Sequence, residues 1–457
     1  MDKKIAQLLA SEEKRQKETI TLIPSENYAS ASVGRLVGSV LGNKYSEGYA
    51  NRRYYQGNKY IDSIEQLAIT RAKSLFGVPH ANVQPYSGSP ANSAVLMALL
   101  EPCGSAQGKV NTIVGMNLSS GGHLTHGHPD ITFSGKFFKS VQFGIEEQYK
   151  KLQSDSVGSE THDPLRGGLI DYDMVSGIVE ANSAKLIIIG STAYPLILNW
   201  QKFAEIADSY GCYLVADISH VAGLIAAGVY PSPVKYAHVM TTTTHKTLRG
   251  PRGAMIMVTA KGLVKDPEMG SKIDRAVFPG LQGGPHDNTT AAIAQCLAEA
   301  ETPAFRKYGK QVVENARVLA EELVSGSLKL VGNGTESHLI LVDLQKVSGN
   351  VAAEALEIAG ITVNRNSVPG DKSPFYPSGI RLGTPAVTTR GMGKREMKQI
   401  AGWILEVLEI IKDERLPEES KKRSDFIKSF VRRASVNKRL LTIAKEVRTL
   451  CKRYPVP

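Results

Sequence analysis

KLIIIGST (185–192), NWQKFAEIADSYG (199–211) and CYLVADIS (212–219) follow one another near the middle of the chain. The first and third are short β-branched, apolar runs. The second spaces its apolar residues at helical period and closes on Gly211. An apolar run without polar alternation belongs to a strand buried on both faces, which needs helices on both sides of its sheet. HVMTTTTH (238–245) and GAMIMVT (253–259) read the same way. Strands alternating with amphipathic helices predict an α/β chain with a mostly parallel sheet. In such sheets ligands sit beyond the carboxyl ends of the strands. The residues to inspect are therefore Thr192, Asp217 with His220, and His245 with Lys246.

At 457 residues the chain is too long for one small core. Beyond residue 302 it reads helix (FRKYGKQVVENARVLAEELVSG), strand (HLILVDL), helix (VAAEALEIAG), strand (ITVN) and further helices, a smaller α/β domain. The expected division is an N-terminal helical arm over 1–25, a large domain over 26–300 and a small domain over 301–457 with a basic helical tail. Residues 151–168 are polar and glycine-rich, as in a surface loop. The first twenty residues, MDKKIAQLLASEEKRQKETI, are charged throughout and lack the apolar core of a secretory signal. No apolar stretch approaches the roughly 20 residues of a membrane span. Cys103, Cys212, Cys296 and Cys451 lie far apart and form no CxxC pair, as expected of reduced thiols in a cytoplasmic protein.

The net charge of +11 suggests nucleic acid until it is located. From Arg415 onward stand 13 Lys and Arg against 4 Asp and Glu, a net of +9, so the body is near neutral. The tail FIKSFVRRASVNKRLLTIAKEVRTLCKRY repeats apolar residues at helical spacing and reads as a folded helix pair with a solvated basic face. A polyanion-binding surface is the alternative, with no motif to support it.

Lys246 at the end of a buried run is the first candidate for chemistry, because desolvation favours the uncharged, nucleophilic amine. Alone it is weak evidence, and a structural lysine is the better reading. Asp217 ends another run, with His220 just beyond it. An aspartate there can be a simple helix cap; an aspartate and a lysine at neighbouring strand ends are also what pyridoxal 5'-phosphate requires. The lysine carries the cofactor and the carboxylate keeps its ring nitrogen protonated. A phosphate cradle stands in QPYSGSPANSAVLMALL (84–100), where Ser87, Gly88 and Ser89 precede a helix with Pro90 in its first turn. An ordinary serine cap accounts for Ser89 but leaves Ser87 and Gly88 unexplained. Neither GxGxxG after a strand nor GxxxxGK[ST] is present, which argues against dinucleotide and Walker-type sites. His123, His126 and His128 in SSGGHLTHGHPD have no acidic or cysteine partner at a metal-site spacing. A glycine pair followed by His123 better suits a ring packed on a flat cofactor.

Through these residues and others, the chain resembles the serine hydroxymethyltransferase family over nearly its whole length. The matching segments, in order, are IPSENYAS (23–30), NKYSEGYANRRYYQGN (43–58), ANVQPYSGSPAN (81–92), GGHLTHG (121–127), DISHVAGLIAAGVYPSP (217–233), TTTTHKTLRGPRGA (241–254), FPGLQGGPH (278–286), ITVNRNSVP (361–369) and SPFYPSGIRLGTPAVTTRG (373–391). The resemblance implies a fold-type I (aspartate aminotransferase-like) enzyme whose large domain holds a mostly parallel seven-stranded sheet. It implies pyridoxal 5'-phosphate on Lys246, Asp217 at the pyridinium nitrogen, His123 stacked on the ring, and Thr192 and His220 beside it. Ser87, Gly88, Ser89 and His245 would bind phosphate, joined across a homodimer interface by Tyr45, Gly283 and Gly284. Arg381 would clamp the carboxylate of serine or glycine, with Ser25 and Tyr55 lining the substrate site. Glu47 would handle protons during transfer to tetrahydrofolate, Arg252 would hold the loop, and Leu118, Gly122, Leu124 and Asn366 would border the folate. No metal is implied, and the assembly would be a dimer or a tetramer.

Departures from the family pattern fall at Tyr86, Pro90 and Leu196, where histidine, glutamine and arginine are usual, and at Thr192, where serine is usual. Two other readings share these residues: a folate-independent β-hydroxy-amino-acid aldolase on the same fold, and a non-catalytic cofactor- or RNA-binding protein that uses the basic tail. Glu47, Tyr55, Leu118, Leu124 and Asn366 favour the transferase over the first; Lys246, Asp217 and Arg381 favour catalysis over the second.

Overall fold

Seven strands of the larger structural unit form one sheet, in the spatial order His80–Asn82, Ala254–Val258, Val239–Thr243, Tyr213–Asp217, Leu186–Gly190, Thr112–Met116, Lys139–Phe143. The last five pair in parallel, and Ala254–Val258 runs against both of its neighbours. Thr112–Met116, Leu186–Gly190, Val239–Thr243 and Ala254–Val258 are buried at every position, which explains their unbroken apolar spelling. Helix Trp200–Ser209 covers the sheet with Trp200, Phe203 and Ile206. The Asn199 side chain accepts from the Lys202 amide at its start, and Gly211 follows it at φ +67°. A core of Val95, Leu96, Ile113, Ile188, Val215 and Ile256 lies beneath helix Gly88–Leu99.

Register brings the strand ends level. Gly190 lies opposite Asp217, and Asp217 opposite Thr241. Since six of the seven strands run the same way, their carboxyl ends share one edge, and the helix at Gly88 starts there too.

The computed structural model describes residues 1–102, 111–154, 168–371, 373 and 375–457. Cys103 and most of the expected loop 151–168 fall outside them. The larger unit comprises Ala29–Thr192 and Ile197–Lys310; the other comprises Met1–Tyr28, Ala193–Leu196 and Gln311–Pro457. The latter holds an antiparallel sheet in the order Lys329–Leu330, Leu339–Asp343, Gly379–Gly383, Asn364–Asn366. ITVN is not one strand: Ile361–Thr362 pairs with Ile20–Thr21, and the chain changes sheet before Asn364. Helices Gly349–Ile358, Lys394–Ile410 and the tail pair Ser420–Ala434 and Lys438–Arg453 bury Leu356, Ile404, Phe430 and Val447 against that sheet. Arg390, 5% exposed, donates to the carbonyls of Thr19, Cys451 and Tyr454 at the ends of the first and last helices, where the backbone dipoles favour a cation. Part of the tail's charge is offset locally, since Arg433 pairs with Glu414 and Arg448 with Glu18. Among the described residues no helix is long and apolar enough to cross a membrane.

Candidate active site

The carboxyl edge of the large sheet opens into a cavity of about 220 Å³. Ten residues given roles from the sequence line it: Ser87, Gly88, Ser89, His123, Thr192, Asp217, His220, His245, Lys246 and Arg252. His126, Ser191, Ser219 and Thr243 complete the wall.

The loop carrying Lys246 is shaped by the threonines before it. Thr241 donates through its hydroxyl to Asn92 Oδ1 at 2.7 Å. The Thr243 amide donates to Ser219 Oγ at 3.0 Å. Thr244 closes the loop three times: its amide donates to Gly253, its carbonyl accepts from the Gly250 amide, and its hydroxyl donates to Pro251 at 2.6 Å. Thr247 donates to the His220 carbonyl and accepts from the Gly223 amide, fixing the far side of Lys246. A side chain at Gly223 would run into the Thr247 backbone, so glycine is required there.

Asp217 is met by three donors. Asn92 Nδ2 donates to Oδ2 at 2.9 Å, His126 Nε2 lies 3.0 Å from the same oxygen, and the Ser219 amide donates to Oδ1 at 3.0 Å. Burial by itself raises the carboxyl pKa, but the hydrogen bonds from His126 and Asn92 bring it below the ordinary carboxylate range. Asp217 is thus a buried anion at neutral pH. Nδ1 of His126 lies 3.4 Å from the His123 amide, so the tautomer with its proton on Nε2 satisfies both contacts. The sequence reading weighed His126 only as a metal ligand and did not single out Asn92. Asn92 stands four residues after Gly88, on the same helix face, and that spacing was the available signal.

His123 is held neutral. Burial first, then His126 and Lys246, push its pKa down to about 4 against the opposing effect of Asp217. Its Nδ1 takes the Thr125 amide at 3.2 Å and the Thr125 hydroxyl at 2.7 Å, leaving any proton on Nε2. Thr192 holds the turn before it, its amide donating to Gly121 at 2.7 Å and its hydroxyl reaching Gly122 at 3.2 Å. Gly122 sits against the Met116 carbonyl with no room for a β-carbon.

The opposite end suits an anion. Ser87 is the N-cap of the 12-residue helix Gly88–Leu99 yet makes no capping bond with its hydroxyl. The amides of Gly88 and Ser89 begin the helix without intrahelical acceptors. Thr243 Oγ1 and His245 Nδ1 are buried and, among the described residues, have no hydrogen-bond partner. Burial, Arg252 and Lys246 push the His245 pKa down to about 3, so the ring is neutral. Two unsatisfied buried polar atoms, a free cap hydroxyl and a helix N-terminus fit a phosphate at one end, as the buried carboxylate fits a protonated ring nitrogen at the other.

Tyr45, Glu47, Tyr55, Gly283 and Gly284 do not line this cavity. They form a second cluster: the rings of Tyr45 and Tyr55 meet edge-on at 5.0 Å, and Tyr45 Oη lies 3.5 Å from Glu47 Oε1. β-carbons at Gly283 and Gly284 would lie 3.1 Å from Glu47 Oε1 and from the Tyr45 ring. Leu118 and Leu124 flank Gly122 on the loop after Thr112–Met116. In the smaller unit Arg381 lies on strand Gly379–Gly383, 9% exposed, with Nε donating to Asn364 Oδ1 at 3.0 Å. Burial lowers its pKa to about 10, which leaves it a cation at neutral pH. Asn366 ends the neighbouring strand, and Ser25 lies in a turn after Ile20–Thr21.

The model of the serine hydroxymethyltransferase family matches residues 1–404. The chain belongs to that family. It is 50% identical over 459 residues to a serine hydroxymethyltransferase of Acidothermus cellulolyticus, covering 100% of this chain and 96% of the relative. Proteins of the same name from Desulfotalea psychrophila and Dichelobacter nodosus are 47% and 45% identical, again over 100% of this chain and 95% and 97% of theirs. The chain is accordingly a fold-type I α/β enzyme that interconverts serine and glycine with tetrahydrofolate.

Proposed function

We propose that the cavity holds pyridoxal 5'-phosphate on Lys246 and that two copies of the chain complete each other's sites. The observation that carries this is the pairing, in one 220 Å³ cavity, of Lys246 with an Asp217 held ionised by His126 and Asn92. When bound, the cofactor supplies the sink for the electron pair released at the substrate's α carbon.

The chain's own groups do the rest. Asp217 holds a proton on the ring nitrogen, His126 and Asn92 keep that carboxylate in place, and neutral His123 packs on the ring. Ser87, Gly88, Ser89 and His245 bind the phosphate. Thr192 and His220 stand beside the ring, and Arg252 braces the lysine loop. Arg381 binds the carboxylate of serine or glycine through its planar fork, which Asn364 orients. Ser25 and Tyr55 line the substrate, Glu47 moves a proton at the one-carbon unit, and Leu118, Gly122, Leu124 and Asn366 border tetrahydrofolate.

The absence of Tyr45, Glu47, Tyr55, Gly283 and Gly284 from the cavity wall supports a homodimer in which they serve the other copy's cavity, alone or as half of a tetramer. Buried free thiols at Cys212, Cys296 and Cys451 support a cytoplasmic setting. The test is serine turnover with and without tetrahydrofolate: strong dependence is expected, and equal rates would refute the folate role.

A further inference from the structure

Arg53 lies outside the cavity, in a short hairpin where Gly48–Tyr49 pairs with Arg52–Arg53. Its side chain is 3% exposed and every nitrogen is used. Nε donates to Asp62 Oδ1 at 2.9 Å and Nη2 to Glu65 Oε2 at 2.9 Å. Nη1 donates to two carbonyls, those of Ser46 and Gly48, each at 2.8 Å. These are the residues on either side of Glu47. The Tyr54 amide takes the Glu47 carbonyl at 3.0 Å, so three successive carbonyls are fixed from Arg53 and its neighbour.

The surrounding groups reinforce this frame. Glu65 Oε1 accepts from the Ala50 amide at 3.1 Å, and Asp62 Oδ2 from the Asn51 amide at 3.0 Å. Gln84 Nε2 bridges Glu65 and the Gly48 carbonyl. The Ser46 hydroxyl reaches both oxygens of Asp287 at 2.7 and 2.8 Å. A buried ion pair is a poor source of net stability compared with apolar packing. What the guanidinium supplies is geometry, since only a rigid planar fork meets two carboxylates and two carbonyls together.

We infer that Arg53 is a positioning residue for the Glu47 carboxylate. The inference rests on the reading of Glu47 as the group that moves a proton during transfer to tetrahydrofolate. Held at residues 46, 47 and 48, the backbone leaves Glu47 only its own side-chain torsions with which to miss the reacting atoms, and misplacement by about 1 Å is enough to cost on the order of 10²-fold in rate.

Three enzymes decide it, each full length and cofactor-loaded: Arg53→Lys, Glu47→Gln and the double variant. Arg53→Lys is expected to lower tetrahydrofolate-dependent kcat by about 10- to 100-fold, with KM for serine and the visible absorbance of the bound cofactor little changed. Combined with Glu47→Gln it is expected to add no further loss, because both act through one carboxylate. Additive losses would overturn the positioning role while leaving Glu47 in place; a Glu47→Gln enzyme with normal turnover would instead overturn the reading of Glu47.

Amide hydrogen exchange supplies a readout without turnover. Protection of the Tyr54 amide should fall in Arg53→Lys by about tenfold or more, while amides of strand Val239–Thr243 stay as they were. Unchanged Tyr54 protection, or a loss spread evenly over the fold, would count against the proposal. Should Arg53→Lys not fold, Asp62→Asn loosens the same fork at a more exposed position, 17% against 3%, and the same cycle with Glu47→Gln applies.

Discussion

The strand-end cavity and the Tyr45–Tyr55 hairpin belong to the same structural unit and are built in opposite ways. In the cavity, polar side chains answer to one another: Asp217 to His126 and Asn92, Asn92 to Thr241, His123 to Thr125. In the hairpin the backbone is held from beneath by Arg53, and the side chains project outward. Tyr45, Tyr54 and Tyr55 are 53%, 74% and 44% exposed. The groups proposed to hold the cofactor's ring therefore lie in one chain's cavity. The hairpin leaves aromatic groups exposed, which is what the proposed pairing of two copies requires of it.

The most severe way to break the first half is Lys246→Ala. It removes the amine and leaves the Asp217 network untouched. The visible absorbance of the bound cofactor should vanish and serine turnover should fall by on the order of 10³-fold or more. An unchanged spectrum would remove Lys246 from its role.

A mixing experiment then tests whether the two regions serve different copies. Lys246→Ala and Glu47→Gln homodimers should each be nearly inactive. Unfolded together and refolded as an equal mixture, half the dimers are mixed, and each of these holds one intact site. Activity should therefore return to about a quarter of the wild-type value. No recovery would mean that Glu47 acts on its own chain's cavity, and the comparison would collapse.

Much of the cavity was legible in the sequence because its parts are strand ends, and strand ends are written as apolar runs that stop. Asp217, Thr192 and Lys246 all follow such runs. The reversed direction of Ala254–Val258 was not legible, since GAMIMVT is buried on both faces whichever way it points. Nor was the break in ITVN, where one short run serves two sheets. His126 was weighed only as a metal ligand because its partner lies 91 residues away in sequence, a separation no spacing rule covers. Arg53 shows the same limit: next to Arg52 it looks like half of a surface pair, and only the fold places it over the carbonyls of Ser46 and Gly48.

Acid separates the two regions at a smaller energetic scale. His123 and His238 have pKa values near 4, and His245 near 3, each lowered chiefly by burial. The unfolded chain takes up protons below about 6.5 while the folded one does not, so stability is complete above that pH and declines between about 6.5 and 4. Three such groups give a slope of up to about 4 kcal/mol per pH unit in the cofactor-free protein, measurable by denaturant titration. His238 lies outside the cavity, where its Nδ1 takes the Leu214 amide at 2.9 Å. His238→Gln should flatten the slope by about a third. A slope insensitive to His238→Gln would show that this histidine is charged in the folded state.

The smallest effect is expected where the two regions touch. Tyr86 precedes the phosphate-end serines, donates its hydroxyl to the Gly284 carbonyl at 2.7 Å, and stacks on His286 at 4.2 Å and 8°. Its amide and the Gln84 carbonyl both engage the Gln282 side chain, so the strap runs from the cavity's own loop to the Gly283–Gly284 turn. Tyr86→Phe removes one hydrogen bond at a half-buried site and keeps the stack, so stability should fall by about 1 kcal/mol or less. If the turn reaches the phosphate of another copy's cofactor, the apparent Kd for that cofactor should rise by about two- to tenfold, with kcat at saturation preserved. A stability loss with no change in cofactor affinity would make the strap a local fastening only, and would leave the cavity and the hairpin as independent as their packing suggests.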